Sequence, residues 1–443
     1  MRFGRLIAAC VLLASPAFGE SLERAIWPKP RPLVEEKLEA LGIRVVRGDV
    51  LTLVTDLPPS PAVDELPRVA TTAVEAFAEY FELTPPAGWR VQAFVMGDRE
   101  RFAAAGLLPP AEHADFANGL SMGYELWVKD QPSDYYRRAL LVHELTHSFM
   151  STLLGGCGPG WYMEATAELM GAHAWDAESG ELRVGIVPAS KTDCPQWGRV
   201  PLVRKAGESL TAAAVMRVDN RQKLEVDAYA HVWALAKLLD THPRYQARWR
   251  ALPRVLLERD FNDRFRQTFA EDWRRLNQEL RLLATTCEYG HDIAREAIDF
   301  QATGKPLGEA THRTPVRADR GWQPAGVFVE QGVTYRYKAA GEFVIAREPD
   351  GAPWPCQADG VTLRYHGGRP LGRLLAMVDG EPGFSPPIEL GADGQFVAPA
   401  AGTLYLRVND SPAELAENEG GLWVYFKRGK AKGERRVLTG ETP

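Results

Sequence analysis

The run His143-Glu144-Leu145-Thr146-His147 sets two imidazoles four residues apart, with a carboxylate beside the first. On an α-helix, positions i and i+4 share one face, so both rings can reach a common ion. Glu144 stands about 100° further round the helix. It lies beside such an ion without ligating it, where it can take a proton from a water. A catalytic zinc takes three protein ligands, keeps one position open and lowers the pKa of its water to about 7. Copper stands above zinc in intrinsic affinity, so availability decides, and zinc is the expected ion for imidazole and carboxylate ligands.

The third ligand must come from another part of the chain. Glu164 lies in Trp161-Tyr162-Met163-Glu164-Ala165-Thr166-Ala167-Glu168, with sixteen residues between it and His147. The intervening Gly155-Gly156-Cys157-Gly158-Pro159-Gly160 can turn the chain so that two helices run antiparallel. Glu168 sits one turn past Glu164 on the same face. It is placed to accept the free ring N–H of a ligand histidine. Exchanged roles for Glu164 and Glu168 are the alternative.

The elements that must hold these residues are legible in part. Tyr135 to Leu154 contains no Gly or Pro and reads as a helix ended by the Gly/Pro cluster. Trp161 to Ala174 and Asp227 to Asp240 read as further helices, and Phe261 to Cys287 as one long amphipathic helix. Upstream, Leu66 to Leu83 places Val69, Ala73, Ala76, Phe77 and Tyr80 at helical spacing. Val91 to Met96 reads as a buried strand, Arg99 to Ala104 as a short helix, and Gly123 to Lys129 as an alternating strand. Residues 303–320 are rich in breakers and read as a linker. Beyond it, Val333 to Tyr337 and Thr403 to Val408 are short alternating runs between Gly/Pro turns, which predicts an all-β module. No fixed-period repeat is present.

LVHELTHSFM followed by GWYMEATAEL resembles the gluzincin metallopeptidases, particularly the bacterial peptidase-MA-like group. These share the catalytic architecture of aminopeptidase N and thermolysin. Their motif is HExxH followed by Trp-x-x-Glu-Gly-x-Ala-Glu, and this chain has Ala165 where they usually have Gly. The resemblance spans roughly residues 50–250. It implies zinc on His143, His147 and Glu164, Glu144 as general base, and peptide or protein substrates. It further implies that Tyr229, at the start of the next helix, donates to the oxyanion of the tetrahedral intermediate. A core tyrosine at 229, or His231 as the donor, are the alternatives. The family has an edge strand before the active helix. Gly123 to Lys129 fits it, with Gly123, Tyr124 and Glu125 meeting an extended substrate.

Segments between Gly321 and Phe426, such as Gly402 to Asp410, resemble the galactophilic lectin PA-IL fold, a jelly-roll-like sandwich. The resemblance implies one calcium on Asp410, the backbone oxygen of Glu414, Glu417 and Asn418, where Glu417 replaces the family's Asn. The family's sugar-contact loop has no match, so glycan binding is not implied. Trp322, Trp354 and Trp423 read as core residues.

The expected fold is therefore α+β: a gluzincin/thermolysin-like domain over 20–302, the linker, an all-β jelly-roll-like sandwich over 321–427, and a basic flexible tail over 428–443. Residues 1–19 read as a signal peptide. Arg2 and Arg5 precede the apolar run Leu6 to Ala14, and Ala17-Phe18-Gly19 is a small-x-small cleavage site. Export to the periplasm or the exterior follows. Cys157, Cys194, Cys287 and Cys356 then remain, and an exported chain permits disulfides. Cys157 with Cys194 is the preferred pair because both lie in loops near the site. Free buried thiols are the alternative. A net charge of -6 argues against a nucleic-acid surface. No later run is long and apolar enough to span a bilayer. Three readings stand: a peptidase with an accessory β-domain, an inactive peptidase-like binding protein, and a calcium-dependent carbohydrate-binding protein.

Overall fold

The computed structural model describes residues 22–24, 26–219 and 224–429. The expected signal peptide lies outside them, as does the expected basic tail from residue 430. Arg428 belongs instead to the last strand, Glu419–Arg428.

The N-terminal region is helix-rich around one mixed sheet. Its strands are β1 (Arg44–Arg47), β2 (Leu51–Thr55), β3 (Val91–Met96), β4 (Gly119–Met122) and β5 (Glu125–Lys129), in the order β1-β2-β3-β5-β4. β3 runs parallel to β2 and to β5. All six residues of β3 are buried, as a central strand covered on both faces requires. One face packs against helices Leu66–Tyr80 and Asp134–Phe149. The other covers Phe94, Phe102 and Trp127.

Two expectations fail here. Gly123 to Lys129 is not an edge strand. Gly123 and Tyr124 form a two-residue hairpin turn, with Gly123 at φ +62°. The chain thus folds back, β4 takes the free edge, and β5 is interior. Phe261 to Cys287 is not one helix. It breaks into Phe261–Thr268 and Trp273–Thr286 about a short 3-10 turn, Ala270–Asp272. Arg248 stabilises the break by donating to the Thr268 carbonyl and to Asp272.

The C-terminal region is all β, with two six-stranded sheets facing each other across a core that includes Val327, Leu374, Leu404 and Val424. The presumed linker is part of it. Lys305–Pro306 pairs with Gln323–Val329, and His312–Arg317 pairs with Glu419–Arg428. Thr314 and Val316 point inward between exposed Arg313, Pro315 and Arg317. That alternation was hidden by breaker-rich composition.

The two regions are packed together. Ile298 and Phe300 join Trp322, Leu375, Met377 and Tyr405 in one apolar cluster. Beside it Arg407 and Glu296 form a buried ion pair at 3.1 Å. No described helix is long and apolar enough to cross a membrane. All four described cysteines are free thiols, so the pair Cys157–Cys194 is corrected. Their sulfurs turn to different partners, Cys157 to the His147 carbonyl and Cys194 to the Ser190 carbonyl.

Candidate metal centre

Helix Asp134–Phe149 is started by Ser133, whose hydroxyl accepts from the Tyr136 N–H at 3.2 Å. Every residue from Leu141 to Phe149 is buried, so His143, Glu144 and His147 lie beneath the surface of the molecule. The Gly/Pro cluster turns the chain into helix Gly160–Gly171. The two helices approach closely at Gly171, where a Cβ would lie 3.1 Å from the Ala139 carbonyl oxygen. That contact brings Glu164 up to the histidines.

His143 Nε2 and His147 Nε2 are 3.1 Å apart, and Glu164 Oε2 lies 3.3 Å from the first and 3.7 Å from the second. Bonds of about 2.0–2.2 Å in a tetrahedral zinc site set ligand atoms roughly 3.3 Å apart. The triangle therefore has the size that zinc requires. Among the described residues this is the one group of three or more His, Cys, Asp or Glu side chains close enough to hold a metal.

Burial acts on all of these groups, and their neighbours decide the outcome. Burial pulls the His143 pKa down, but Glu164 and Glu168 outweigh it and hold the ring well above its usual value. Burial likewise penalises the Glu164 carboxylate, and the two histidines bring it far below the usual range. Glu168 is the outer partner: Oε1 lies 3.4 Å from His143 Nδ1. Arg199 binds both Glu168 oxygens, at 2.8 and 2.9 Å. Against burial, this guanidinium brings the Glu168 pKa down to about 2. Glu144 is raised by burial, with His143 and His147 opposing. Cys157 is pushed up by burial to about 12 and stays a neutral thiol.

Tyr229 lies over the same centre, its ring centroid 6.2 Å from that of His143. Burial and then Glu164, Glu168 and Glu144 raise its pKa, so the hydroxyl keeps its proton. The charges acting on His231 are Asp227 and Lys205 instead. His231 therefore faces another neighbourhood.

The three residues expected at the edge are committed elsewhere. Trp27 covers Gly123, the Tyr124 carbonyl accepts from the Gln92 N–H, and Glu125 binds Arg31. Gly119 of β4 stands in their place: any Cβ there would overlap Glu144 Oε1. Sequence reasoning missed Gly119 and Arg199. Gly119 opens a strand whose hairpin turn lies at Gly123 and Tyr124, so nothing local marks its role, and nothing local marks Arg199.

The second candidate cluster sits where the sandwich meets the helical region. Asp410 and Asn418 are buried, and Asn418 Nδ2 donates to Asp410 Oδ2 at 2.7 Å. Burial raises the Asp410 pKa to about 6. Asn418 Oδ1 is buried without a partner, as a hard-cation ligand would be. The Glu414 carboxylate binds Arg364, and Asp410 and Glu417 also act on that guanidinium.

No family model matches the chain, and no curated protein matches its sequence. Solved structures show distant likenesses. A PllA-like lectin, the EclA N-terminal domain, is 23% identical over 26% of this chain and 95% of its own, with a TM-score of 0.21. An aminopeptidase N family protein from Idiomarina loihiensis is 11% identical over 88% of this chain and 69% of its own, with a TM-score of 0.35. The IMPa metallopeptidase of Pseudomonas aeruginosa is 12% identical over 87% of this chain and 42% of its own, with a TM-score of 0.16. The chain thus spans less than half of IMPa. At these values the case for function rests on the geometry of the site itself.

Proposed function

We propose that this chain is an exported zinc-dependent peptidase with Glu144 as general base. The observation that carries the reading is the buried triangle of His143, His147 and Glu164, sized for zinc, with Glu144 next to His143 and its carboxylate against Gly119 of β4. When bound, the ion supplies Lewis acidity that makes a water nucleophilic near neutral pH. Glu144 takes the proton of the attacking water and passes it to the departing amine. Tyr229 donates its hydroxyl to the oxygen that gains charge. β4 offers its N–H and C=O groups to an extended peptide, a role that moves to Gly119–Met122 from the three residues expected first. The test compares wild type with Glu144→Gln for zinc content and for hydrolysis of a peptide library. One zinc in each and hydrolysis only in wild type is the expected result. Equal, chelator-insensitive hydrolysis in both would refute it.

A calcium ion on the loop from Asp410 to Asn418 is a second, separate reading, favoured by the unpartnered Asn418 Oδ1 beside a buried carboxylate. Millimolar calcium should raise the Tm of wild type and leave Asp410→Asn unmoved. An equal response in both proteins would remove the site.

A further inference from the structure

The free edge of β4 is the backbone template beside Glu144, and it is short. It begins at Gly119, against the Glu144 carboxylate, and ends at Met122. At about 3.3 Å per residue, roughly 13 Å separate Gly119 from the hairpin turn at Gly123. There the template meets Trp27. A Cβ on Gly123 would lie 2.5 Å from Trp27 Cγ and 2.6 Å from Cδ2, so the indole lies directly on the turn.

Trp27 is fastened from both sides. Beyond it, the Arg31 backbone N–H donates to Glu125 Oε1 at 2.8 Å. The Arg31 guanidinium grips the same carboxylate at 2.8 to 3.1 Å and packs over Phe94 and Trp127. Before it, the Arg24 side chain lies against Gly155, just past the helix that carries the histidines. The Leu22 N–H donates to the Leu257 carbonyl at 2.6 Å. Residues 22–24 therefore touch the loop after the histidine helix, and residues 27–31 the tip of the β4–β5 hairpin. Ser121 Oγ, 3.0 Å from Ser148 Oγ, shows that strand and helix run side by side toward these contacts.

From this geometry we infer that residues 22–24 and 26–31 form a strap closing the Gly123 end of the substrate groove, with Trp27 as the stop. The inference rests on the peptidase reading and names its substrate class. An extended peptide paired with β4 has room for about three residues between the scissile bond and Trp27. The enzyme is accordingly an exopeptidase acting near one terminus of its substrate, not an endoprotease. Glu125 then has a defined task as the anchor of the strap.

The test uses full-length zinc-loaded protein, as wild type and as Trp27→Ala, with unstructured peptides of 4 to 14 residues carrying either terminus free or blocked. Cleavage positions are read by mass spectrometry. Wild type should cut within about three residues of one terminus, and Trp27→Ala should cut internal bonds at least tenfold faster than wild type does. A second readout needs no turnover: calorimetric binding of the same peptides to zinc-loaded Glu144→Gln. Affinity should stop rising beyond three residues on the strap side, and should keep rising in Glu144→Gln/Trp27→Ala. Internal cleavage of 14-residue peptides by wild type, or identical patterns and affinities with and without Trp27, overturns the strap and leaves the peptidase standing. Zinc-loaded wild type that neither cleaves nor binds any peptide overturns both.

Discussion

Arg199 organises more of the candidate site than its position in the chain suggests. Its guanidinium fork holds both oxygens of Glu168, and Glu168 in turn faces His143 Nδ1. This leaves His143 Nε2, the nitrogen that metal ligation would use, aimed at Glu164 and His147. The same guanidinium stands 5.6 Å over the Tyr229 ring. One buried cation thus steers a ligand and the proposed oxyanion donor together. Removing the phenol alone isolates the second task. Tyr229→Phe should lower kcat by about 10²–10³, the usual cost of one oxyanion donor, with zinc content and KM nearly unchanged. An unaltered kcat would return Tyr229 to the core-residue alternative.

At the level of elements, the centre depends on two helices held in contact. Where the second helix ends, His173 stacks on Tyr135 of the first, with ring centroids 4.5 Å apart, and bonds the Gly171 carbonyl at 2.9 Å. Burial lowers the His173 pKa to about 4. An ordinary histidine in the unfolded chain titrates near 6.5. Between about pH 6.5 and 4 the unfolded state therefore binds the extra proton, and stability falls as pH falls through that window. Denaturant unfolding of wild type should lose up to about 3 kcal/mol over this range from His173 alone. His173→Phe keeps a ring on Tyr135 and should flatten that slope. The same slope in both proteins would show that another group causes it.

For the molecule as a whole, the sandwich and the helical region share a buried polar and apolar boundary. Arg407, at the sandwich side, donates to Glu296 Oε2 at 3.2 Å and to the Asp410 carbonyl at 3.0 Å, and its guanidinium stacks 5.6 Å over Trp322. The loop after Asp410 continues the contact, with the Asp292 N–H donating to the Pro412 carbonyl and Ser411 bonded to Glu288. The face of the sandwich that carries the candidate calcium loop is thus turned toward the helical region. Arg407→Ala would leave Glu296 buried without its cation and should cost about 3–5 kcal/mol. Calorimetry should then show two separate transitions in place of one. A single transition at the wild-type Tm would mean that the boundary contributes nothing to cohesion.

The sequence by itself determined whatever depends on short-range periodicity. The spacing of His143, Glu144 and His147 on a Gly-free helix, the turn at 155–160 and Glu164 on the next helix were all readable, because a helix converts residue number directly into direction. β3 was readable as a buried apolar run, and the all-β texture beyond 321 as alternation between turns. The tertiary structure alone decided which strand lies at the sheet edge, since a hairpin at Gly123 exchanges β4 for β5 without altering either strand's pattern. It also decided that 303–320 pairs into the sandwich, that the helix expected over 261–287 breaks where Arg248 arrives from a distant segment, and that the cysteines stay apart. Arg199, Gly119 and Trp27 act through partners 20 to 100 residues away. Such contacts are set by how whole elements pack, and no local rule of the chain encodes them.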